Sequence, residues 1–115
     1  MGIATVGYST LHTESLVATD IAVKAGPAML FGLSMGNIDT GIDHWVHFYN
    51  VLTAGVTVGT TAPLVSILVP RLGSVNIEWS RGIIFSTALT WAATTTVGGS
   101  TGPTAGDMAG MVLFV

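Results

Sequence analysis

Residues 74–80 read SVNIEWS, and their side chains alternate strictly between polar and apolar. Val75, Ile77 and Trp79 occupy every second position, and polar residues occupy the positions between them and at both ends. Successive side chains of a β-strand point to opposite sides of the sheet. This stretch therefore predicts a strand with one face packed on a core and one face in water.

Similar segments recur on both sides of this stretch, separated by Gly, Pro, Asn and Asp at intervals of eight to fifteen residues. Helical periodicity is hard to find, and the rhythm of short segments and turns is typical of all-β sandwiches and barrels. About seven or eight strands favour an all-β fold, a compact antiparallel β-sandwich of jelly-roll-like form. The predicted strands are residues 18–25, 28–35, 44–52, 64–69, 74–80, 83–91 and 108–115.

Three features of single elements follow from the same patterns. Arg81-Gly82 predicts a turn, which makes residues 83–91 the longest strand. In the segment 28–35, alternation places Met29, Phe31, Leu33 and Met35 on one face. Residues 94–106 are rich in Gly and Thr and predict a loop.

The chain has 115 residues and no cysteine. That length is enough for one domain to bury a core without disulfides or metal. Residues 1–14 lack a sustained pattern and predict an extended N-terminal arm, and residues 15–115 predict a single β-sandwich domain. Disulfide scaffolds, thiol catalysis and cysteine-ligated zinc are excluded by the composition.

Charge is scarce, because only 8% of the residues are charged while 50% are hydrophobic, against about 25% charged in ordinary soluble domains. Low-charge apolar surface usually marks an interface, so we expect an obligate homo-oligomer. Three basic residues and a net charge of −3 argue against a nucleic-acid partner. No window offers the roughly 20 apolar residues of a spanning helix, so we expect no membrane partner.

The segment DHWVHFYN, residues 43–50, contains two of the three histidines. In a strand, His44 and His47 point to opposite faces and cannot bind one ion together. Either one with Asp43 or His12 makes only a weak zinc pattern, and Asp39 and Asp43 bracket a turn in which Asp normally binds its own backbone. We therefore predict no catalytic, cofactor-binding or metal-binding residues and no cofactor. A metal-dependent enzyme built on the three histidines stays open as an alternative.

Both faces of this strand mix aromatic or aliphatic groups with amphipathic ones. This pattern predicts that both faces are covered, one by the core and the other by a second sheet, a loop or a neighbouring subunit. The predicted interface residues are Trp45, His47, Tyr49 and Trp91. An alternative function is a carbohydrate- or receptor-binding module, in which an exposed Trp45 or Trp91 stacks on a sugar.

A family resemblance spans residues 25–96, in four stretches: AGPAMLFGLSMGN (25–37), HWVHFYNV (44–51), TTAPLVSILVP (60–70) and VNIEWSRGIIFSTALTWAATTT (75–96). This succession of hydrophobic and turn positions resembles small β-sandwich structural proteins of tailed bacteriophages, of the decoration or cement kind. The resemblance implies a non-enzymatic virion protein, assembled in the host cytoplasm, that contacts a major capsid protein or another virion protein. A tail, connector or fibre-base component remains the alternative within a virion.

Overall fold

The computed structural model describes residues 7–115, which form eight β-strands and one short 3-10 turn, Thr53–Gly55. Within this part of the chain, no helix has the length and apolar character needed to cross a bilayer. The all-β prediction is confirmed. The strands are β1 (Ser9–Thr13), β2 (Ile21–Lys24), β3 (Ala28–Asn37), β4 (His44–Tyr49), β5 (Val65–Val69), β6 (Gly73–Phe85), β7 (Leu89–Thr94) and β8 (Met108–Phe114).

The strands make two four-stranded antiparallel sheets. The strand order is β1-β8-β3-β6 in the first sheet and β2-β7-β4-β5 in the second. Only the connection from β4 to β5 stays within one sheet, and every other connection crosses to the opposite sheet. This arrangement of eight strands is that of a jelly roll, so the predicted sandwich is confirmed.

The core lies between the two sheets and is built from the inward-facing positions of their strands. Phe48 on β4 and Trp91 on β7 pack with their rings nearly parallel, at a centroid distance of 6.1 Å. Each large side chain buried in this way stabilises the fold by about 1.5–3 kcal/mol. The other fully buried apolar side chains include Leu16, Leu30, Val46, Val69, Phe85, Leu89, Met108 and Val112.

Strand β6 contains the stretch SVNIEWS, and its two faces differ as predicted. Val75, Ile77 and Trp79 are partly buried, and Val75 and Trp79 pack against the core. The intervening polar side chains are exposed. Alternation along this strand therefore determines which side of the first sheet carries the core.

The predicted turn at Arg81-Gly82 is wrong, because β6 continues through it. Glu78 pairs with Gly32 and Ile83 pairs with Leu30, so four residues of β6 lie opposite Phe31 alone. Such a bulge absorbs extra residues while the strand goes on. Gly82 has φ +73°, and a Cβ there would come within 2.9 Å of the Phe31 ring, so this position requires glycine.

The same irregularity changes the faces of β3. Leu30 and Leu33 are both buried in the core, although strict alternation would put them on opposite sides. The register shift between Leu30 and Gly32 inverts the parity at that point. The prediction that Met29, Phe31, Leu33 and Met35 share one face is therefore wrong, because it assumes an unbroken strand.

The turn that ends β6 lies further along the chain than predicted, at residues 86–88. Asn50, just after β4, accepts the backbone N–H of Thr87 at 2.8 Å and that of Ala88 at 3.3 Å. The side chain of a residue that is distant in sequence therefore provides the acceptor for two backbone N–H groups of the turn. These bonds divide residues 83–91, predicted as one strand, between β6 and β7.

Residues 9–13, which the sequence places in an N-terminal arm, form the edge strand β1 of the first sheet. This strand pairs with β8 from Ser9–Phe114 to Thr13–Gly110, and Leu11 packs against the core. The extended conformation agrees with the prediction, but the segment belongs to the sandwich. Residues 1–6 of the predicted arm lie outside the described residues.

Candidate functional site

The two histidines of β4 lie on opposite faces of the second sheet, as predicted. His44 shares the parity of the core residues Val46 and Phe48, and His47 shares the parity of Tyr49 on the outer face. The two imidazoles are 1% and 2% exposed, respectively. Because their hydrogen-bond partners are different, they make two separate sites.

The first site joins His44 to two carboxylates from different loops. The Nε2 atom of His44 lies 3.1 Å from the Oδ2 atom of Asp39, which follows β3. One ligand atom from each of Asp39, His44 and Asp107 lies within 4.8 Å of the other two. The two loops are tied together, since the Ile38 N–H donates to the Asp107 carbonyl at 2.9 Å. We call this set the Asp39–His44–Asp107 cluster.

Asp39 also binds its own turn, as predicted for a carboxylate at this place. Its Oδ1 atom accepts the N–H of Gly41 at 2.7 Å and that of Ile42 at 3.3 Å. The Gly41 bond has the largest effect in holding the pKa of Asp39 below its ordinary value, with smaller contributions from the Ile42 bond and the charge of His44. Burial opposes this effect. The carboxylate is therefore ionised at neutral pH with Oδ2 turned toward the imidazole.

Among residues 7–115, neither His44 nor His47 comes together with Asp43 or His12 in a group of metal ligands. His12 lies exposed on β1, and Asp43 accepts the backbone N–H of Arg71 at 2.9 Å. Asp107 is the residue that sequence reasoning missed as a neighbour of His44. No local pattern could have found it, because the contact depends on how the loop before β8 returns to the end of β3.

The second site is a chain of hydrogen bonds around His47. Its Nδ1 atom lies 2.7 Å from the Ser66 hydroxyl on β5, and its Nε2 atom lies 2.7 Å from the Thr94 hydroxyl on β7. The Thr94 hydroxyl donates to the Thr96 carbonyl at 2.6 Å. We call this set the His47 hydroxyl chain.

The direction of each bond in the His47 hydroxyl chain follows from counting protons. The only proton of the Thr94 hydroxyl goes to the Thr96 carbonyl, so this oxygen must accept from the imidazole Nε2–H. The other ring nitrogen, Nδ1, then accepts from the Ser66 hydroxyl in the neutral ring. Burial lowers the pKa of His47, which agrees with a neutral imidazole at pH 7.

A serine hydroxyl that is hydrogen-bonded to an imidazole is the pair of nucleophile and general base found in many hydrolases. In a Ser-His-Asp triad a carboxylate orients the imidazole and stabilises its protonated form. In this chain a threonine hydroxyl holds the other nitrogen, and a neutral hydroxyl stabilises imidazolium far less. The arrangement is well suited to connecting β4 with both of its neighbours.

Loops of the chain itself cover the outer face of β4. His47 and Tyr49 line a cavity of about 200 Å³ together with residues 59–63 and 97–99. Tyr49 is 1% exposed, and burial, together with the charge of Asp20, raises the pKa of its hydroxyl. The prediction that both faces of this strand are covered is confirmed at His47 and Tyr49, where loops provide the outer cover, but not at Trp45, which lines an open groove on the same face.

The four predicted interface residues lie at different depths. Trp91 is 0% exposed in the core, because its partner across the β4–β7 ladder is the inward-facing Phe48. His47 and Tyr49 lie under the loops. Only Trp45, which is half-buried, has substantial surface to offer a partner, and a sugar-stacking role for Trp91 is excluded in this conformation.

Trp45 lines an open groove of about 840 Å³ on the outer face of the second sheet. The groove has a mixed lining, with Asp43, Arg71 and Thr96 among its polar residues and Ile42, Leu68 and Val97 among its exposed apolar ones. Aromatic, charged and hydroxyl groups therefore face the same space.

A second apolar element stands beside this groove. Leu72 is 67% exposed in the turn between β5 and β6, and its N–H donates to the Asp39 carbonyl at 3.1 Å. Ile38, next to Asp39 in the chain, is also 67% exposed. We call the five exposed aliphatic residues of this region the apolar rim: Ile38, Ile42, Leu68, Leu72 and Val97.

Leu72 also has a strained backbone. Its φ of +51° is the only positive φ of a non-glycine residue among residues 7–115, and such a conformation costs about 1–3 kcal/mol for an ordinary side chain. A strained turn that holds a large apolar side chain in water is unfavourable for an isolated chain. This combination points to a contact made by the turn.

Comparison with known proteins gives no match: no family model, no curated protein and no solved structure matches this chain.

Proposed function

We propose that the chain is a non-enzymatic virion structural protein, a capsid decoration or cement protein that stabilises a bacteriophage head through oligomeric contacts. The observation that carries this proposal is the apolar rim of five large exposed aliphatic side chains, three of which line the Trp45 groove. Burying apolar surface stabilises an assembly by about 25 cal/mol per Å². A particle repeats each such contact at every symmetry-related position.

The scarcity of charge supports the same proposal. Three Lys and Arg residues and six Asp and Glu residues serve the whole chain, and of these only Asp43 and Arg71 line the Trp45 groove. Depletion of charge is characteristic of the cores of protein interfaces. The partners we propose are other copies of the chain and a major capsid protein or another virion protein.

The fold supports the proposal by analogy. Jelly rolls recur in viral capsid proteins and in lectin domains, although a fold hosts many functions. The resemblance of residues 25–96 to phage structural proteins favours the first of these two contexts. A tail, connector or fibre-base position within the virion remains the alternative.

Native mass spectrometry and capsid binding test this proposal. We expect the purified chain to form homo-oligomers or to bind particles, and we expect Leu72→Asp together with Ile38→Asp to abolish both while the fold persists. The matched control is Ser74→Asp together with Asn76→Asp, which adds the same two charges on the exposed face of β6. A monomer without affinity for particles, or equal loss in the control, would contradict the proposal. Electron microscopy of purified particles would give the position in the virion.

A second candidate function, carbohydrate binding, is favoured by the Trp45 groove. A half-buried indole can stack on a sugar ring, and a carboxylate, a guanidinium and hydroxyl groups lie around it as hydrogen-bonding groups. Fluorescence titration with a glycan panel tests this function. We expect Trp45→Phe to lose any sugar-dependent change in emission, and a wild-type spectrum that no glycan changes would exclude the function.

A further inference from the structure

We propose that the Asp39–His44–Asp107 cluster is a binding site for a divalent transition-metal ion of the zinc type. The ion would join the loop after β3 to the loop before β8. This inference is independent of the proposed virion function. It rests on the position, the charge and the hydrogen bonding of three side chains.

The position of the side chains is the first reason. An imidazole nitrogen and two carboxylate oxygens, drawn from two loops and the start of β4, lie within 4.8 Å of one another. Zinc bonds to such ligands are about 2.0–2.2 Å long, so bound ligand atoms lie about 3.3 Å apart in tetrahedral geometry. The Asp39 and His44 atoms are already 3.1 Å apart. Closure of the site therefore requires only a short movement of the Asp107 side chain.

The charge of the cluster is the second reason. Two carboxylates come together around one imidazole, and among residues 7–115 no Lys or Arg forms an ion pair with either of them. A divalent cation at this place would be attracted by the two carboxylates.

The third reason is independent of the carboxylates. His44 is 1% exposed, and its Nδ1 atom is buried with no hydrogen-bond partner among the described residues. Buried ring nitrogens are normally paired, and an unpaired one calls for a ligand, an ion or a water molecule. The imidazole is thus held only through Nε2, which faces Asp39, and Nδ1 is a buried nitrogen that no other described group uses.

The donor set selects the class of ion. Imidazole with carboxylates suits zinc and related transition metals, whereas calcium and magnesium prefer sets made of oxygen alone. Asp39 and Asp107 are both partly exposed, so water can reach the site and complete the coordination. One turn already orients Asp39 through two backbone N–H groups on Oδ1, which leaves Oδ2 facing the imidazole as the atom that would bind an ion.

Isothermal titration of the untagged, chelator-treated chain with zinc chloride tests the site. We expect one ion per chain and a rise in the melting temperature on binding. Asp107→Asn should weaken binding at least tenfold. Asp43→Asn is the matched control, because it removes a neighbouring carboxylate that is outside the cluster, and it should leave binding unchanged.

Imidazole NMR of the wild-type chain gives a second readout that does not depend on a variant. Zinc should shift the His44 ring signals and leave those of His47 and His12 in place. The proposal is overturned if the wild-type chain binds no zinc, if both Asn variants bind equally well, or if only the exposed His12 responds.

Discussion

His44 and His47 are three residues apart on one strand, yet they have opposite kinds of partner. His44 faces carboxylates, and one of its ring nitrogens has no partner among residues 7–115, whereas His47 has a hydroxyl on each nitrogen. Both rings are almost completely buried. Burial alone therefore does not reveal the role of a histidine. The hydrogen-bond partners show whether the side chain belongs to a charged site or connects neighbouring strands.

The substitution His47→Leu is expected to have the largest effect on this comparison. It removes hydrogen bonds to Ser66 and Thr94, each worth about 1 kcal/mol, so we expect a loss of about 2 kcal/mol in the free energy of unfolding. Chemical denaturation measures it. The matched control is His12→Leu on exposed β1, for which a change within about 0.5 kcal/mol is expected. Equal losses at the two positions would mean that the hydroxyl chain does not stabilise the fold.

The corresponding change at the other site, His44→Leu, is expected to lower the free energy of unfolding by less than His47→Leu does. One hydrogen bond is lost, and a buried nitrogen without a partner is removed at the same time. We expect a loss of about 1 kcal/mol or less by chemical denaturation without added metal. If His44→Leu lowered the free energy of unfolding by more than His47→Leu, the hydrogen bonds of His44 would be the more stabilising ones, and this expectation would be wrong.

The two sites are also expected to differ in how stability depends on pH. Burial lowers the pKa of His47 from its ordinary value of 6.5, so below that pH the unfolded chain binds a proton that the folded chain does not. The stabilisation is present above pH 6.5 and decreases as the pH falls toward the lower pKa of the folded state. Denaturation midpoints measured between pH 7 and pH 5, in the wild-type chain and in His47→Leu, check this. The variant should show the shallower dependence.

Asp39 is expected to give a weaker effect in a more acidic range. Its pKa lies below the ordinary value of 3.8, so the folded chain keeps the carboxylate ionised where the unfolded chain has protonated it. Its contribution is complete above that value and is lost as the pH falls through the lower pKa of the folded state. Thermal unfolding of Asp39→Asn between pH 5 and pH 2 should show a flatter acid limb than the wild type. Glu78→Gln, which removes an exposed carboxylate on β6, is the control.

The smallest effect concerns a single proton and leaves stability unchanged. The His47 hydroxyl chain requires the neutral tautomer that carries its hydrogen on Nε2. Long-range nitrogen–proton NMR at pH 7 should show a protonated Nε2 and an unprotonated Nδ1. The opposite tautomer would mean that the Thr94 hydroxyl does not donate to Thr96.

The sequence predicted features that depend on the parity of an unbroken strand. Alternation explains the two faces of residues 74–80, the divergence of His44 and His47, and the cover over both faces of β4 at His47 and Tyr49. Parity fails where the strand is irregular. The bulge opposite Phe31 was mistaken for a turn, since Arg81-Gly82 has turn chemistry and the positive φ of Gly82 suits either structure.

Contacts between distant segments were beyond the reach of sequence reasoning. Trp91 was predicted at an interface, but it pairs with the inward-facing Phe48 across the β4–β7 ladder. The sequence of neither strand determines the register between them. Asp107 was not connected with His44 for a similar reason. Its approach depends on the path of a Gly-rich loop, in which no periodic pattern limits the backbone.

The hydroxyl chain has a mechanical consequence for the second sheet. Ser66, His47 and Thr94 stand on three neighbouring strands, so their bonds run across the sheet and reinforce the backbone ladder. If β4 slid by one residue, the imidazole would move to the core side, where its partners are apolar. A polar crosslink of this kind resists shear between strands, and it lies on the same face of the sheet as Trp45.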